Sequence, residues 1–222
     1  MTDFFLATSE DGIRFKLKSD GTWEPDIEIQ SRPVDIQNKY EGRRLFDLAK
    51  EYDNGSINVI KDEKRAFQLY KQSAELGYIM AFCRLVSFYR SGSCVRKDLN
   101  IALLWARKAI KSGYIFGYYL AVQCFLDASM ANEARAMFDE CFCECKNEFL
   151  RDNSHTRTVL SLFARCAINN EIPLGNIPSY IQLAMQRYLS HLNSWDVSSS
   201  KFAKLDLEYV QKYIAMYPYD LI

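Results

Sequence analysis

Apolar residues recur through most of this chain at helical spacing, in paired segments separated by short polar turns. Leu45, Leu48, Ala49 and Tyr52 share one face of a first helix, while Arg44, Asp47, Lys50 and Glu51 fall off it. Ala66, Leu69, Tyr70, Ser73 and Ala74 form the inner face of a second. Asn54-Gly55 tolerates the left-handed backbone that ends the first helix, Asp62 is placed to cap the second, and Gly77 closes it. The plan then repeats: Ala81, Leu85, Val86 and Tyr89 face inward, Gly92 ends the helix and Asp98 caps the next. Ala102, Trp105, Ala106 and Ala109 follow before Gly113. Asp62/Asp98, Ala66/Ala102 and Gly77/Gly113 are each 36 residues apart, whereas Leu48/Leu85, Tyr52/Tyr89 and Gly55/Gly92 are 37 apart. The difference places one extra residue in the intervening loop. A fixed period of this size marks stacked helical hairpins, with small residues admitting close helix approach.

A third hairpin is degenerate. Gly117, Ala121, Val122 and Phe125 continue the first-helix pattern, and Ala134, Met137 and Phe138 the second. Ala134 lies only 32 residues beyond Ala102, which predicts a shortened turn. Beyond Asn147 the repeat fades, but helical spacing persists over Thr156–Ile168, from Pro178 through Leu192, and from a cap at Ser198–Ser200 to Met216. Two to four helices are expected there, closing the stack.

The beginning of the chain has a different period. Ile13, Phe15 and Leu17 alternate with Arg14, Lys16 and Lys18, bracketed by Asp11-Gly12 and Asp20-Gly21, which suit tight hairpin turns. This predicts a β-meander of Phe4–Thr8, Ile13–Lys18 and Thr22–Glu24, continuing as far as Ile29 and packed on the first helices. The expected organisation is a meander over 1–30, a link over 31–40, repeats over 41–146 and closing helices over 147–222. The fold class is mainly α: an α-solenoid of antiparallel helix pairs with a small N-terminal antiparallel β-meander.

Charge and composition narrow the function. Basic and acidic residues balance at 28 each, against the basic excess of a nucleic-acid footprint, though a local patch remains open. No run reaches the roughly 18 apolar residues of a membrane span. The first ten residues lack a signal-peptide pattern, and the seven cysteines are odd in number and mostly within helical patterns. The expected location is cytoplasmic.

The run Ala81-x3-Leu85-x3-Tyr89-x2-Gly92-x-Cys94-Val95-x2-Asp98-x3-Ala102-x2-Trp105-x3-Ala109-x3-Gly113 resembles the Sel-one-like repeat, a branch of the tetratricopeptide-type solenoids. The first hairpin matches through Leu48, Ala49, Tyr52, Gly55, Asp62, Ala66, Leu69, Tyr70 and Gly77. Cys94 and Val86 stand where the family usually has glycine. The resemblance implies a protein-interaction module with first helices lining the concave side. It also implies adaptors, scaffolds and, among bacterial members, inhibitors of secreted toxins.

Candidate chemistry is sparse. Cys141, Cys143 and Cys145 lack the spacing of a structural zinc site, and on a helix Cys141 and Cys145 would share a face while Cys143 points away. His155 and His191 have no sequence neighbour that makes a catalytic pair. No phosphate-cradling glycine loop or nucleophile elbow occurs. No enzyme, cofactor or metal site is expected; a thiol- or metal-dependent enzyme is the rival reading. The candidate partner-binding residues are first-helix positions outside the packing register: Asp47, Lys50, Glu51, Phe82, Arg84, Ser87, Tyr118 and Gln123. The expected partner is another protein, with a toxin domain as one candidate and an endogenous target of a regulatory adaptor as the other. Neither nucleic acid nor membrane is expected, and the sequence leaves the oligomeric state open.

Overall fold

A computed structural model describes residues 6–8, 14–17, 23–25, 33–55, 59–151, 153–169, 171–173, 177–194 and 201–217. Its body is a stack of helices: α1 (Pro33–Asn54), α2 (Glu63–Glu75), α3 (Ile79–Ser91), α4 (Leu99–Lys111), α5 (Phe116–Asp127) and α6 (Ala131–Glu144). The stack continues with α7 (Lys146–Arg151), α8 (Ser154–Ile168), α9 (Ser179–Ser194) and α10 (Lys201–Met216). Each helix of the first three hairpins packs mainly on its neighbours in sequence, while α5 also meets α8, and α10 closes on α8 and α9.

The body is an all-α solenoid, which corrects the expectation of a mainly α fold with a small N-terminal β-meander packed on the first helices. Extended pairing is confined to three- and four-residue strands, β1 (Leu6–Thr8), β2 (Arg14–Leu17) and β3 (Trp23–Pro25). Their antiparallel register sets Ala7 opposite Phe15 and Lys16 opposite Glu24, and their extensive contacts run only from strand to strand. Strands this short bury too little to form a layer of the architecture. The expected turns at Asp11-Gly12 and Asp20-Gly21 and the extension to Ile29 lie outside the described residues, as do Ser198–Ser200. The expected link is also different, because α1 already begins at Pro33. Proline suits a first helical turn, where its missing N–H costs nothing.

The hairpins follow from local chemistry. Asp62 accepts from the Arg65 amide, and Asp98 from the amides of Asn100 and Ile101, satisfying donors that each helix start leaves free. Inside, Ala66, Ala102 and Ala134 are wholly buried at equivalent positions of α2, α4 and α6. Aromatic rings fill the space beside these small residues: Phe67 stands edge-on to Phe88 and Tyr89, both at 5.7 Å between centroids. A second cluster, centred on Phe138, Phe142, Phe149 and Phe163, joins the third hairpin to α8 and α10.

The shortened third turn has a specific form. After α2, α4 and α5 the chain makes the same pair of backbone bonds: Gly77 to Ala74 and Tyr78 to Ser73, Gly113 to Ile110 and Tyr114 to Ala109, Ser129 to Leu126 and Met130 to Phe125. The residue at the turn has φ of 82° in Gly77 and 77° in Gly113, but Ser129 adopts 59° with a side chain. The α5–α6 junction thus uses the tight turn that elsewhere joins one hairpin to the next. Gly117 serves a different need, since a Cβ there would lie 2.8 Å from the Ile110 amide nitrogen and 3.0 Å from the Ala106 carbonyl.

Two substitutions separate these roles. Ser129→Gly is expected to raise stability by about 0.5–1 kcal/mol by relieving left-handed strain. Gly117→Ala is expected to lower it by about 1–3 kcal/mol, by forcing α4 and α5 apart. Urea unfolding monitored by circular dichroism reads both.

Candidate partner-binding surface

The first helices α1, α3 and α5 are joined along their length by polar ties. Asp53 of α1 accepts from Arg84 of α3 and, at 3.3 Å, from the Tyr70 hydroxyl of α2. One step along, Arg90 of α3 donates from Nε to Asp127 of α5 at 2.8 Å and from Nη2 to the Gln123 side-chain carbonyl at 3.0 Å. Asp53 and Arg90 occupy equivalent positions, each following the repeat tyrosine (Tyr52, Tyr89), so one register site carries opposite charges in successive hairpins. Asp53 is nearly enclosed, with its side chain 12% exposed, whereas Arg84 remains 43% exposed. Burial draws the Arg84 guanidinium below its ordinary value and pushes the Tyr70 phenol up to about 12. Within the described residues Arg84 Nε and Gln123 Nε2 have no hydrogen-bond partner.

The eight candidate residues divide accordingly. Asp47, Lys50, Glu51 and Ser87 are exposed, and Asp47 sits 3.9 Å from Arg43 on the same helix. Arg84 and Gln123 are half-buried members of the interhelical ties. Phe82 and Tyr118 are not surface residues, which corrects their placement. Phe82 stacks on Trp105 of α4 at 5.7 Å, and the Tyr118 hydroxyl donates to Glu144 of α6 at 2.8 Å. They lie 36 residues apart and both turn toward the second helix of their own hairpin. Burial and then the Glu144 bond raise the Tyr118 phenol strongly, so it stays a hydrogen-bond donor. Asp53, Arg90 and Asp127 were missed; the signal for the first two was the alternating charge after each repeat tyrosine.

Cys141 is buried, Cys145 half-buried and Cys143 exposed, as expected for one helical turn. The thiol hydrogen bond between Cys141 and Cys145, then burial, holds Cys141 up, and the same bond draws Cys145 down. Burial pushes Cys83 and Cys124 up to about 11 and Cys166 up to about 12, which keeps them as thiols. Among the described residues no three His, Cys, Asp or Glu side chains gather as a metal site. His155 follows Asn153, which caps α8 in a capping box with Thr156, and its Nε2 lies 3.0 Å from the Tyr114 hydroxyl. A cleft of about 720 Å³ opens between the loops of the first two hairpins, lined by Tyr52, Ile60, Lys64 and Cys94 among others. Burial first, then the charge of Glu63, raises the Cys94 thiol and leaves it a poor nucleophile. No helix among the described residues is long and apolar enough to cross a membrane.

Two substitutions test these assignments. Asp53→Asn removes the charge facing Arg84 and is expected to cost about 1–2 kcal/mol, between the values for surface and buried pairs. The exposed control Asp47→Asn should stay within about 0.5 kcal/mol of wild type. Tyr118→Phe should cost about 1 kcal/mol through the lost Glu144 bond. Chemical denaturation measures all three.

The Sel1 repeat family model matches residues 45–78 and 81–114, the first two hairpins. The chitin synthase regulator SKT5 of Saccharomyces cerevisiae is 32% identical over 85 residues, which is 37% of this chain and 12% of that protein. A Sel1 repeat protein from Oxalobacter formigenes superposes with a TM-score of 0.51 at 16% identity, covering 85% of this chain and 78% of that one. A protective antigen of uropathogenic Escherichia coli gives a TM-score of 0.34 at 14% identity, over 84% and 57% of the two chains. The chain thus spans about an eighth of the yeast relative's length. Residues 45–78 and 81–114 are therefore two Sel1 repeats, and Sel1 repeats are protein-interaction modules.

Proposed function

We propose that this chain is a non-enzymatic, cytoplasmic binding module that seats a protein partner on its first-helix face. The observation that carries the reading is the pair of Sel1 repeats, whose matched residues make the scaffold while Lys50, Glu51 and Ser87 stay at the surface. Arg84 and Gln123 lie beside them, and arginine is favoured at interface centres. In its narrower form the module is an immunity protein that occludes a toxin domain by covering its active surface. The printed name of the yeast relative, a regulator of an enzyme, favours a second form: an adaptor for an endogenous protein.

Affinity capture from the native cell distinguishes them. The wild-type chain should retain a specific partner, and Lys50→Glu/Ser87→Arg should retain about tenfold less or lower, with unchanged circular dichroism. A captured toxin whose toxicity is abolished by the purified chain supports the immunity form, and a captured endogenous enzyme supports the adaptor. Equal capture by both chains overturns the first-helix face. Tightly bound metal, or activity lost in Cys141, Cys145 or His155 variants that still fold, would instead establish the enzymatic rival.

A further inference from the structure

The outward faces of the second helices carry a pattern independent of the first-helix surface. With the buried Ala66, Ala102 and Ala134 in register, Lys71, Arg107 and Asp139 share one position, and Gln72, Lys108 and Glu140 the next. Arg65, Ile101 and Glu133 share a third. All nine side chains are exposed. The outward face is therefore basic across α2 and α4 and turns acidic at α6 through Glu133 and Glu140, Asp139 being paired with Arg135 of its own helix. Between the two signs it is apolar: Leu104 is 53% exposed, Ile101 38%, and Ala136 of α6 is exposed at the position equivalent to Leu104.

We propose that this face is a self-complementary interface on which two copies of the chain pair about a twofold axis. With the axis between α4 and α6, the basic α4 of each copy lies against the acidic α6 of the other, and Ile101 and Leu104 flank the axis opposite the Ala136 position. The argument is charge complementarity. The chain has no net formal charge, so nothing drives copies together at long range, but the segregated signs attract in the antiparallel orientation and repel in the parallel one. A twofold pairing needs one patch that complements its own rotated image, and a strip of opposite ends has that property. An apolar centre within a charged rim is the usual anatomy of a protein interface. A separate acidic partner, a nucleic acid or an anionic membrane would match the basic half alone and leave the α6 half repelled.

Charge exchange tests the pairing in the full-length chain. Analytical ultracentrifugation should show a wild-type dimer that weakens as salt rises from about 0.05 M to about 0.5 M, as screening shortens the reach of the charges. Arg107→Glu/Lys108→Glu makes both α4 and α6 acidic on this face, and Glu133→Lys/Glu140→Lys makes both basic. Each variant alone should be monomeric where wild type is dimeric, and an equimolar mixture should recover a heterodimer. Lys39→Glu/Arg43→Glu, with the same net change placed on α1, should leave the dimer intact; circular dichroism confirms folding throughout. A wild-type chain monomeric at about 0.1 mM in low salt overturns the proposal. So does a dimer indifferent to the second-helix exchanges, a mixture that stays monomeric, or a monomer that binds duplex DNA or phosphatidylserine vesicles instead.

Discussion

Close approach of helices at wholly buried alanines governs the rest of this molecule. Ala66, Ala102 and Ala134 show no exposure at one position of three successive second helices, and Ala81 and Ala121 are as deeply enclosed on the first helices. An alanine column contributes little apolar area itself. Its effect is to let neighbouring backbones come near enough for rings such as Phe67, Phe82 and Trp105 to bridge from one helix to the next. Gly117 takes the same constraint to its limit, where even a methyl group would strike the α4 backbone. Register is thereby fixed: sliding a helix by one residue would replace a small side chain by a large one at the closest contact.

With packing decided by the alanines and rings, the polar ties have a narrower task. Asp53–Arg84 and Arg90–Asp127 link successive first helices. Such half-buried pairs contribute on the order of 1–2 kcal/mol, against about 1.5–3 kcal/mol for each large apolar side chain enclosed. They set how adjacent hairpins lie relative to each other more than they hold the stack together. That angle in turn shapes the first-helix face.

Features controlled by adjacent residues could be read from the sequence, and features controlled across the stack could not. The capping aspartates 62 and 98, the turn glycines and the alanine register all depend on local chemistry, and each stands where its pattern put it. Ser129 carries no local signal for a left-handed backbone; only the three matching hydrogen-bond patterns reveal its role. Phe82 and Tyr118 were misplaced because a helix in a solenoid packs on two sides, so a position off one apolar stripe still faces the partner helix. At the beginning of the chain, a short alternation was a sound signal for strand pairing but a poor one for architecture. Asp53 escaped notice because its arginine lies 31 residues away.

The balanced charge is the most instructive of these readings. Equal numbers of acidic and basic residues argued against a nucleic-acid footprint, yet the balance conceals opposition between segments. The same outward register position is lysine in α2, arginine in α4 and aspartate in α6. Inward positions cannot vary in this way, because an unpaired charge among buried alanines and rings would incur a desolvation cost of several kcal/mol. Outward positions carry no such penalty. A solenoid whose interior repeats from hairpin to hairpin can therefore acquire a dipolar face without disturbing its fold. Such polarity gives orientation to whatever meets the second-helix layer, while the first-helix layer remains available to a different partner.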